Sequence, residues 1–209
     1  MYLFPMINDS TIYCITLKQT PERYEAARKH FEDKKIPVNF FFGIHGPTFG
    51  ITTLKKQREG GFMSQGHTGL ILSHYMLWSH IKMRGSGIPS LILEDDAEIP
   101  DDFWNKFTSI SKQVPDDWEL LYLGSNPGSP WEKAEKVVSE NIAVMPAYAT
   151  HAYMIKPSAV DILLATNHVA SEHIDVQIIR NSLPFLKHYC ITPSLITQRT
   201  NVGIWPTSL

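Results

Sequence analysis

The N-terminal part of the chain alternates strand, helix and strand signals. Ile12–Leu17 is rich in apolar and β-branched residues, and Thr20 followed by Pro21 is typical of a helix start. The helix is expected to continue to about Lys34, and Val38–Phe42 is again rich in β-formers. A helix that connects two strands of one sheet makes these strands parallel. This unit therefore predicts an α/β fold.

The rest of the chain continues this pattern. Apolar residues recur at helical spacing from His67 to Met83, and Leu91–Leu93 is short and fully apolar, as expected of a central strand. Further strands are predicted at Glu119–Leu123, Ile142–Met145, Ala152–Ile155 and His188–Ile191, and further helices at Asp102–Gln113, Pro157–Leu164 and Ile174–Asn181. We therefore expect one α/β domain over residues 1–209, with a mostly parallel sheet flanked by helices.

The composition is typical of an ordinary soluble globular protein. Of the 209 residues, 43% are hydrophobic and 19% are charged, and the formal net charge of -2 offers no basic excess for a nucleic-acid partner. Cys14 and Cys190 lie in apolar runs and are expected to be buried thiols. Met1–Ser10 lacks the pattern of a signal peptide, and no apolar run approaches the roughly 20 residues that span a bilayer. We expect a cytoplasmic protein, for which a peripheral membrane contact stays open.

Three consecutive carboxylates follow the apolar strand directly. Residues two apart in an extended chain point the same way, so Glu94 and Asp96 are expected to face one site and Asp95 to turn away. Three carboxylates this close repel each other unless a cation or strong donors compensate. A hard divalent cation would do so, and open α/β sheets bind ligands beyond the carboxyl ends of their strands. The triplet thus predicts a metal-assisted site for phosphate oxygens.

The triplet alone leaves several interpretations open. A solvated acidic turn, continued by Asp101 and Asp102, would have the same sequence. Phosphatases, nucleotidyltransferases and sugar transferases all hold a metal in this way. A nucleotidyltransferase would need a cradle for the nucleotide phosphates, and the chain has no glycine-rich loop that ends in Lys and Ser or Thr.

An ordered set of motifs, spread from Ile12 to Gln198, resembles glycosyltransferase family 25, which includes lipopolysaccharide and collagen galactosyltransferases. The centre of the set is Ser73-His74 and Glu94-Asp95-Asp96. The matching segments are Ile15–Leu17 with Arg23, Phe42–Gly46, Gly66–Leu70 with Ser73, His74 and Trp78, Leu91–Asp96, Asp117–Gly124, Thr150–Tyr153, Ile174-Asp175 and Pro193–Gln198.

The resemblance implies a GT-A-like nucleotide-diphospho-sugar transferase fold and a UDP-hexose donor, with galactose or glucose as the sugar. It implies Mn²⁺ or Mg²⁺ as the cofactor, because a cation on the diphosphate stabilises the charge that builds up on the leaving group. The acceptor would be a hydroxyl group of a glycan, a lipopolysaccharide or a protein. Members of the family that make β-linkages from α-linked donors invert the anomeric centre.

The resemblance also implies roles for individual residues. Glu94 and Asp96 would hold the metal or the donor ribose, and Asp96 would take part in catalysis. Asp175 would be the base that inversion requires, or would belong to a second metal site. The other donor contacts are implied at Arg23, Gly69, Ser73, His74 and Asp95.

Two of these donor contacts have a plainer interpretation. Arg23 opens a helix, where an exposed arginine that only aids solubility is common. The apolar helix face that carries His74 is equally typical of a buried histidine bonded to the backbone. For Arg23 the functional alternative is a contact with the diphosphate or uracil, and for His74 it is a contact with the donor.

The chain departs from the family pattern at His67 and Leu70, where the family usually has Glu and Cys. A non-catalytic protein that binds sugar nucleotides on the same fold is therefore an alternative to an enzyme, because a fold does not by itself imply a function.

Overall fold

The computed structural model describes residues 9–50, 54–55, 62–126 and 133–199. The helices are α1 (Pro21–Asp33), α2 (Gln65–Arg84), α3 (Phe103–Ser111), α4 (Pro157–Thr166) and α5 (Ile174–Gln177), and a π-helical turn (Ile178–Ser182) continues α5. The strands are β1 (Ile12–Thr16), β2 (Asn39–Phe42), β3 (Leu54–Lys55), β4 (Phe62–Met63), β5 (Ser90–Glu94), β6 (Ala97–Glu98), β7 (Leu120–Tyr122), β8 (Lys136–Val137), β9 (Ile142–Val144), β10 (Ala152–Ile155), β11 (His188–Ile191) and β12 (Thr197–Gln198). Within these ranges, no helix has the length and apolar character needed to cross a membrane.

A large sheet forms the centre of the molecule. In the described residues it has eight strands in the order β2-β1-β5-β10-β7-β11-β9-β8. The pairs β1–β2, β1–β5 and β7–β11 are parallel, whereas β10 is antiparallel to both of its neighbours, and β9 is antiparallel to β8 and β11. The predicted α/β architecture is confirmed. The sheet is more mixed than the sequence suggested, because an apolar strand has the same residue pattern in either direction.

Side chains of the central strands alternate between the two faces of this sheet. In β5, Ile92 packs in the core formed with α2, α4 and α5, and its neighbours Leu91 and Leu93 pack in the opposite core, with α1 and α3. All three are fully buried. This alternation continues to the end of the strand. Glu94 therefore turns towards α2, and Asp95 turns towards α1.

Helix α2 begins earlier than the hydrophobic spacing predicted. Ser64 is its N-cap, and the Ser64 hydroxyl accepts a hydrogen bond from the backbone N–H of His67 at 3.2 Å. The helix ends at Arg84, and the capping residue Gly85 has the left-handed conformation (φ 57°) that glycine adopts without strain. The spacing of apolar residues could not predict this earlier start, because Gln65 and Gly66 are not apolar. The N-cap at Ser64 determines where the helix begins.

Glycines allow the loop after β2 to lie directly on α2. A methyl group on Gly69 would lie well inside van der Waals contact with the carbonyl oxygen of Ile44 and 2.9 Å from the nitrogen of Gly46. The Ser73 hydroxyl holds the same loop, since it accepts a hydrogen bond from the Ile44 N–H at 2.8 Å and donates to the Gly69 carbonyl at 2.7 Å. Gly69 therefore permits a backbone approach that positions Ile44 and Gly46.

Replacing Gly69 by alanine should destabilise the protein, although alanine favours a helix. The added methyl group meets backbone atoms, which cannot move aside like a flexible side chain, so we expect a loss of about 1–3 kcal/mol in the free energy of unfolding. Gly66→Ala is the matched control in the same helix, because its methyl group would meet only the Ser64 hydroxyl, at 3.6 Å. Urea unfolding should show that Gly66→Ala is neutral or stabilising by up to about 1 kcal/mol. Equal stability of the two variants would contradict the packing role of Gly69.

Candidate active site

Two neighbouring clefts open beyond the carboxyl ends of β1 and β5. The first cleft is lined by Thr16, Arg23, Ile44, Gly46, Ser73 and Asp95, among others. The second cleft is lined by His67, Tyr148, Thr150, His173, Asp175 and Gln198, among others. Leu70 and Glu94 line both. The clefts therefore adjoin at Glu94, the first residue of the acidic triplet, and Asp95 lines the first cleft alone.

Glu94 is held by donors on the α2 side of the sheet. Its Oε1 accepts a hydrogen bond from the Thr150 hydroxyl at 2.6 Å and lies 3.3 Å from Nε2 of His74. Burial raises the pKa of Glu94, but the hydrogen bonds from His74 and Thr150 outweigh it and keep the pKa below its ordinary value. Glu94 is therefore a carboxylate, and its Oε2 accepts no hydrogen bond from the described residues.

Asp95 points to the opposite side and binds the start of α1. Its Oδ2 accepts a hydrogen bond from the Thr16 hydroxyl at 2.9 Å. Its Oδ1 accepts from Nε of Arg23 at 3.2 Å and forms a close ion pair with Nη2 of the same residue. Asp95 and Arg23 are 4% and 7% exposed. The interpretation of Arg23 as an exposed surface residue is therefore wrong. Arg23 also lines the first cleft, and a donor contact stays a prediction for both residues.

Among the described residues, Asp96 has fewer side-chain hydrogen-bond partners than Glu94 or Asp95, and Nη2 of Arg23 lies 3.9 Å from its Oδ2. Its Oδ1 is buried without a hydrogen-bond partner in the described part of the chain, and its Oδ2 lies 3.5 Å from the amide nitrogen of Gln198. Burial and the negative charge of Glu94 raise the pKa of Asp96 to about 7, although Arg23 opposes this shift. A cation next to Oδ1 would stabilise the ionised carboxylate and so oppose the effects of burial and of Glu94 on this pKa.

A short strand near the end of the described chain, which sequence reasoning missed, holds the backbone of the triplet. Strand β12 pairs with β6, immediately after Asp96. The backbone N–H of Arg199 donates to the Asp96 carbonyl at 2.7 Å, and its guanidinium donates to the Asp95 carbonyl and lies 3.8 Å from Glu98. A two-residue strand has no periodicity, so the sequence marked this segment only through the motif Pro193–Gln198 and did not single out Arg199.

His74 is completely buried and lines neither cleft. It lies between Glu94 and the hydroxyl of Tyr153, and its Nδ1 is 2.9 Å from the Tyr153 oxygen. The interpretation of His74 as a buried histidine is confirmed, but its partners are side chains rather than the backbone.

Ser73 and Gly69 position the loop against α2, and Ser73 also lines the first cleft. Contacts of Gly69, Ser73 and His74 with a donor stay predictions.

Asp175 lies in the second cleft at the start of α5. Its Oδ1 accepts a hydrogen bond from the Val176 N–H at 2.8 Å. Burial raises the pKa of Asp175, with a further contribution from the charge of Glu94. The rings of His67 and His173 lie 4.0 Å apart between their centroids and line the same cleft. The sequence singled out His67 as a departure from the family pattern but did not identify His173.

The residues around the acidic triplet fit a cation whose coordination is completed by a bound substrate. Among the described residues, no three His, Cys, Asp or Glu side chains form a ready metal cluster. Asp96 nevertheless has a buried oxygen to which no described residue donates a hydrogen bond, and the charge of Glu94 acts on its carboxyl group. Mg²⁺ is typically held by one or two carboxylates and completed by substrate phosphates and water. The site therefore suits a cation that arrives with a diphosphate.

Comparison with known proteins identifies the family. The family model of glycosyltransferase family 25 (LPS biosynthesis protein) matches residues 9–178. The chain therefore belongs to glycosyltransferase family 25, and the resemblance seen in its motifs is confirmed.

Three relatives illustrate this similarity. A putative glycosyltransferase of Acanthamoeba polyphaga mimivirus is 30% identical over 54% of the chain and 36% of its own length. Procollagen galactosyltransferase 2 of Homo sapiens is 24% identical over 75% of the chain and 27% of its own length. A probable inactive glycosyltransferase 25 family member 3 of Bos taurus is 24% identical over 74% and 28%. The chain thus spans about a quarter to a third of these curated relatives.

A solved structure supports the fold. The crystal structure of a glycosyltransferase involved in the glycosylation of the major capsid of PBCV-1 superposes with a TM-score of 0.53, over 86% of this chain and 79% of the other. The two sequences are 10% identical, so the likeness concerns the fold alone. It is consistent with the GT-A-like fold that the motifs implied.

The raised pKa of Asp96 predicts how the stability of the metal-free protein changes with pH. In the unfolded chain Asp96 titrates near its ordinary value of 3.8, and in the folded protein near 7. Between these values the folded state binds more protons, so ionising Asp96 costs stability as the pH rises. Asp96→Asn removes this cost. With EDTA present, the variant should become progressively more stable than wild type from about pH 4 to above pH 7.

Each pKa unit corresponds to about 1.4 kcal/mol, so the difference between the two proteins should reach a few kcal/mol. Asp101→Asn is the matched control, because Lys34 lowers the pKa of the exposed Asp101 and the variant should gain nothing at high pH. Denaturant unfolding at several pH values measures the difference. A constant difference for Asp96→Asn would mean that Asp96 is ionised throughout this range.

Proposed function

We propose that this member of glycosyltransferase family 25 is a metal-dependent hexosyltransferase that moves a sugar from a UDP-hexose to a hydroxyl group, with inversion. The observation that carries the proposal is that the two clefts adjoin at Glu94 and Leu70. A donor in one cleft and an acceptor in the other would lie side by side at the carboxyl ends of the central strands. Transfer between two substrates requires this proximity.

The first cleft is the proposed donor side. It opens at the carboxyl end of β1, beside the buried pair of Arg23 and Asp95. Asp96, together with Glu94, would hold Mn²⁺ or Mg²⁺, and its Oδ1 is free for this because no described residue donates a hydrogen bond to it. When bound, the cation would supply charge stabilisation to the diphosphate as the sugar–phosphate bond breaks. Glu94 would orient the donor through Oε2, because Oε1 is occupied by Thr150 and His74.

The second cleft is the proposed acceptor side, with Asp175 as the base. The acceptor hydroxyl would give its proton to the Asp175 carboxylate as its oxygen bonds to the anomeric carbon. The bond from that carbon to the diphosphate breaks, and its electron pair leaves with UDP. The raised pKa of Asp175 suits this role, since a base is most effective when its pKa approaches the working pH.

The identity of the sugar and the acceptor rests on the relatives. Galactose is the preferred sugar because procollagen galactosyltransferases are among the similar proteins, and glucose is the second choice. The description of the family as LPS biosynthesis proteins supports a glycan or lipopolysaccharide acceptor, and the procollagen enzymes support a protein hydroxyl. A cytoplasmic location with peripheral membrane contact would fit a lipid-linked glycan, and we propose no nucleic-acid partner.

A non-catalytic function is the second candidate. The Bos taurus relative described as inactive is as similar to this chain as the human procollagen galactosyltransferase, at 24% identity. Binding of UDP-galactose without UDP release, in the presence of Mn²⁺ and a broad set of acceptors, would favour this alternative.

The proposed role of Asp96 can be tested through UDP release. With UDP-galactose or UDP-glucose, wild-type protein should release UDP in the presence of Mn²⁺ or Mg²⁺ and lose this activity with EDTA. Asp96→Asn should be slower by on the order of 100-fold or more, because the cation loses a charged ligand. Asp101→Asn alters an exposed carboxylate paired with Lys34 and should retain activity. Unchanged metal-dependent turnover of Asp96→Asn would refute the assignment.

The proposed base can be separated from a metal ligand. Asp175→Asn should lower sugar transfer by about 100- to 10,000-fold, and it should leave the affinity for UDP-sugar and Mn²⁺ unchanged. Transfer is measured with whichever acceptor most increases UDP release by wild type, and affinity by calorimetry. Asp161→Asn, an exposed residue of α4 paired with Lys82, is the control. A loss of metal-dependent donor binding in Asp175→Asn would instead assign Asp175 to a metal site.

A further inference from the structure

A chain of buried side chains connects the core to Glu94. Nε1 of Trp78 donates a hydrogen bond to the Tyr153 oxygen at 2.9 Å, and the same oxygen lies 2.9 Å from Nδ1 of His74. On the other side of the ring, Nε2 of His74 lies 3.3 Å from Oε1 of Glu94. Trp78, His74 and Tyr153 are each 0% exposed. Bulk water therefore has no access to the hydrogen bonds among these three side chains.

Hydrogen-bond chemistry determines the direction of each bond. The Trp78 indole nitrogen can only donate, so Tyr153 must accept from it. Burial raises the pKa of Tyr153 well above its ordinary value, so its hydroxyl keeps the proton. Among the described residues, the acceptor within reach of this proton is Nδ1 of His74. His74 then carries its own hydrogen on Nε2, where it can donate to Glu94.

The opposite tautomer of His74 would break two contacts. A hydrogen on Nδ1 would meet the Tyr153 hydroxyl proton, which would be a buried donor without an acceptor. The lone pair of Nε2 would then face the Glu94 carboxylate and repel it. A buried unsatisfied polar group costs about 1–3 kcal/mol. The arrangement with hydrogen on Nε2 satisfies Trp78, Tyr153, His74 and Glu94 together.

We propose that Tyr153 is a positioning residue for the transferase reaction, and that it acts by setting the tautomer of His74 and thereby the orientation of Glu94. The inference rests on the proposed function, in which Glu94 orients the donor through Oε2. With Oε1 held by His74 and Thr150, the carboxylate has one remaining oxygen for the clefts that it lines. A residue in the core thus controls a group at the surface of the site.

The tautomer can be measured without any activity. The protein has nine histidines, and ¹⁵N-histidine labelling reports which ring nitrogen of each carries hydrogen. Loss of one set of signals in His74→Gln assigns His74. In wild type we expect hydrogen on Nε2 and a bare Nδ1, and in Tyr153→Phe a mixture of tautomers or the reverse one. Hydrogen on Nδ1 in wild type, or an unchanged ring in Tyr153→Phe, would overturn the proposal.

Tyr122→Phe is the matched control for this measurement. Tyr122 is buried on the adjacent strand, directly opposite Tyr153 in the register of β7 and β10, and its hydroxyl makes no hydrogen bond to His74. Like Tyr153→Phe, this substitution removes one tyrosine hydroxyl group from this face of the sheet. It should leave the His74 tautomer and the UDP-release rate as in wild type.

Kinetics separate positioning from a general loss of structure. Tyr153→Phe should lower kcat/KM for UDP release about 10- to 100-fold, the range expected when a hydrogen bond to a charged group is lost. Glutamine at position 74 keeps an N–H for Glu94 that needs no tautomer, so His74→Gln should retain more activity than His74→Leu. In the His74→Gln background, Tyr153→Phe should change kcat/KM less than about threefold, because coupled residues are not additive. Equal losses in both backgrounds would refute the proposal.

The two proposals fail in different ways. If wild type releases no UDP with any donor, the proposed function fails, and the ring signals of His74 still decide whether Tyr153 sets its tautomer. If wild type is active and the Tyr153→Phe loss is the same in both backgrounds, the proposed function stands and the positioning role fails. A Tyr153→Phe protein that does not fold leaves the wild-type tautomer and the comparison of His74→Gln with His74→Leu as the deciding measurements.

Discussion

The buried ion pair between Asp95 and Arg23 is the interaction on which the geometry of the site depends. Three consecutive carboxylates would otherwise repel each other at the end of a buried strand. Arg23 and Thr16 bind Asp95 on the α1 side of the sheet, which separates its charge from that of Glu94 on the α2 side. Loss of one partner of a buried pair typically costs about 3–5 kcal/mol, because the other charge stays buried and uncompensated. The pair thus connects α1, β1 and the triplet in a single orientation.

With Asp95 engaged in this way, the three carboxylates differ in character although they are neighbours in sequence. Glu94 has its pKa lowered by donated hydrogen bonds and is ionised. Asp96 has its pKa raised to about 7 by burial and by Glu94, and one of its oxygens has no partner among the described residues. Asp95 therefore serves the fold, Glu94 is oriented by side chains of the core, and Asp96 keeps one oxygen for which the described residues supply no donor. The difference between Glu94 and Asp95 follows from the opposite sides to which they point, whereas Asp96 lies in the turn after β5 and faces Arg23 and Gln198.

Much of this arrangement could be predicted from the sequence, because it depends on local patterns. The apolar run before Glu94 predicted the strand, and the period of two predicted that Asp95 turns away from Glu94. The environment of each side chain depends on contacts between distant residues, which no local pattern records. Arg23 was expected at the surface or on the donor, yet it is buried against a residue 72 positions away. The mixed strand directions and the partners of His74 were missed for the same reason.

The end of the described chain shows how far this dependence on distant contacts extends. The family match covers residues 9–178, whereas Gln198 and Arg199 contact Asp96 and hold the backbone of the triplet. Arg199 also reaches the Asp95 carbonyl and the side chain of Glu98, so it binds the turn from both ends. The triplet would have no such support from β5 alone, because the strand ends at Glu94. A segment outside the family match is therefore a physical part of the site, since its backbone hydrogen bonds determine where Asp96 lies.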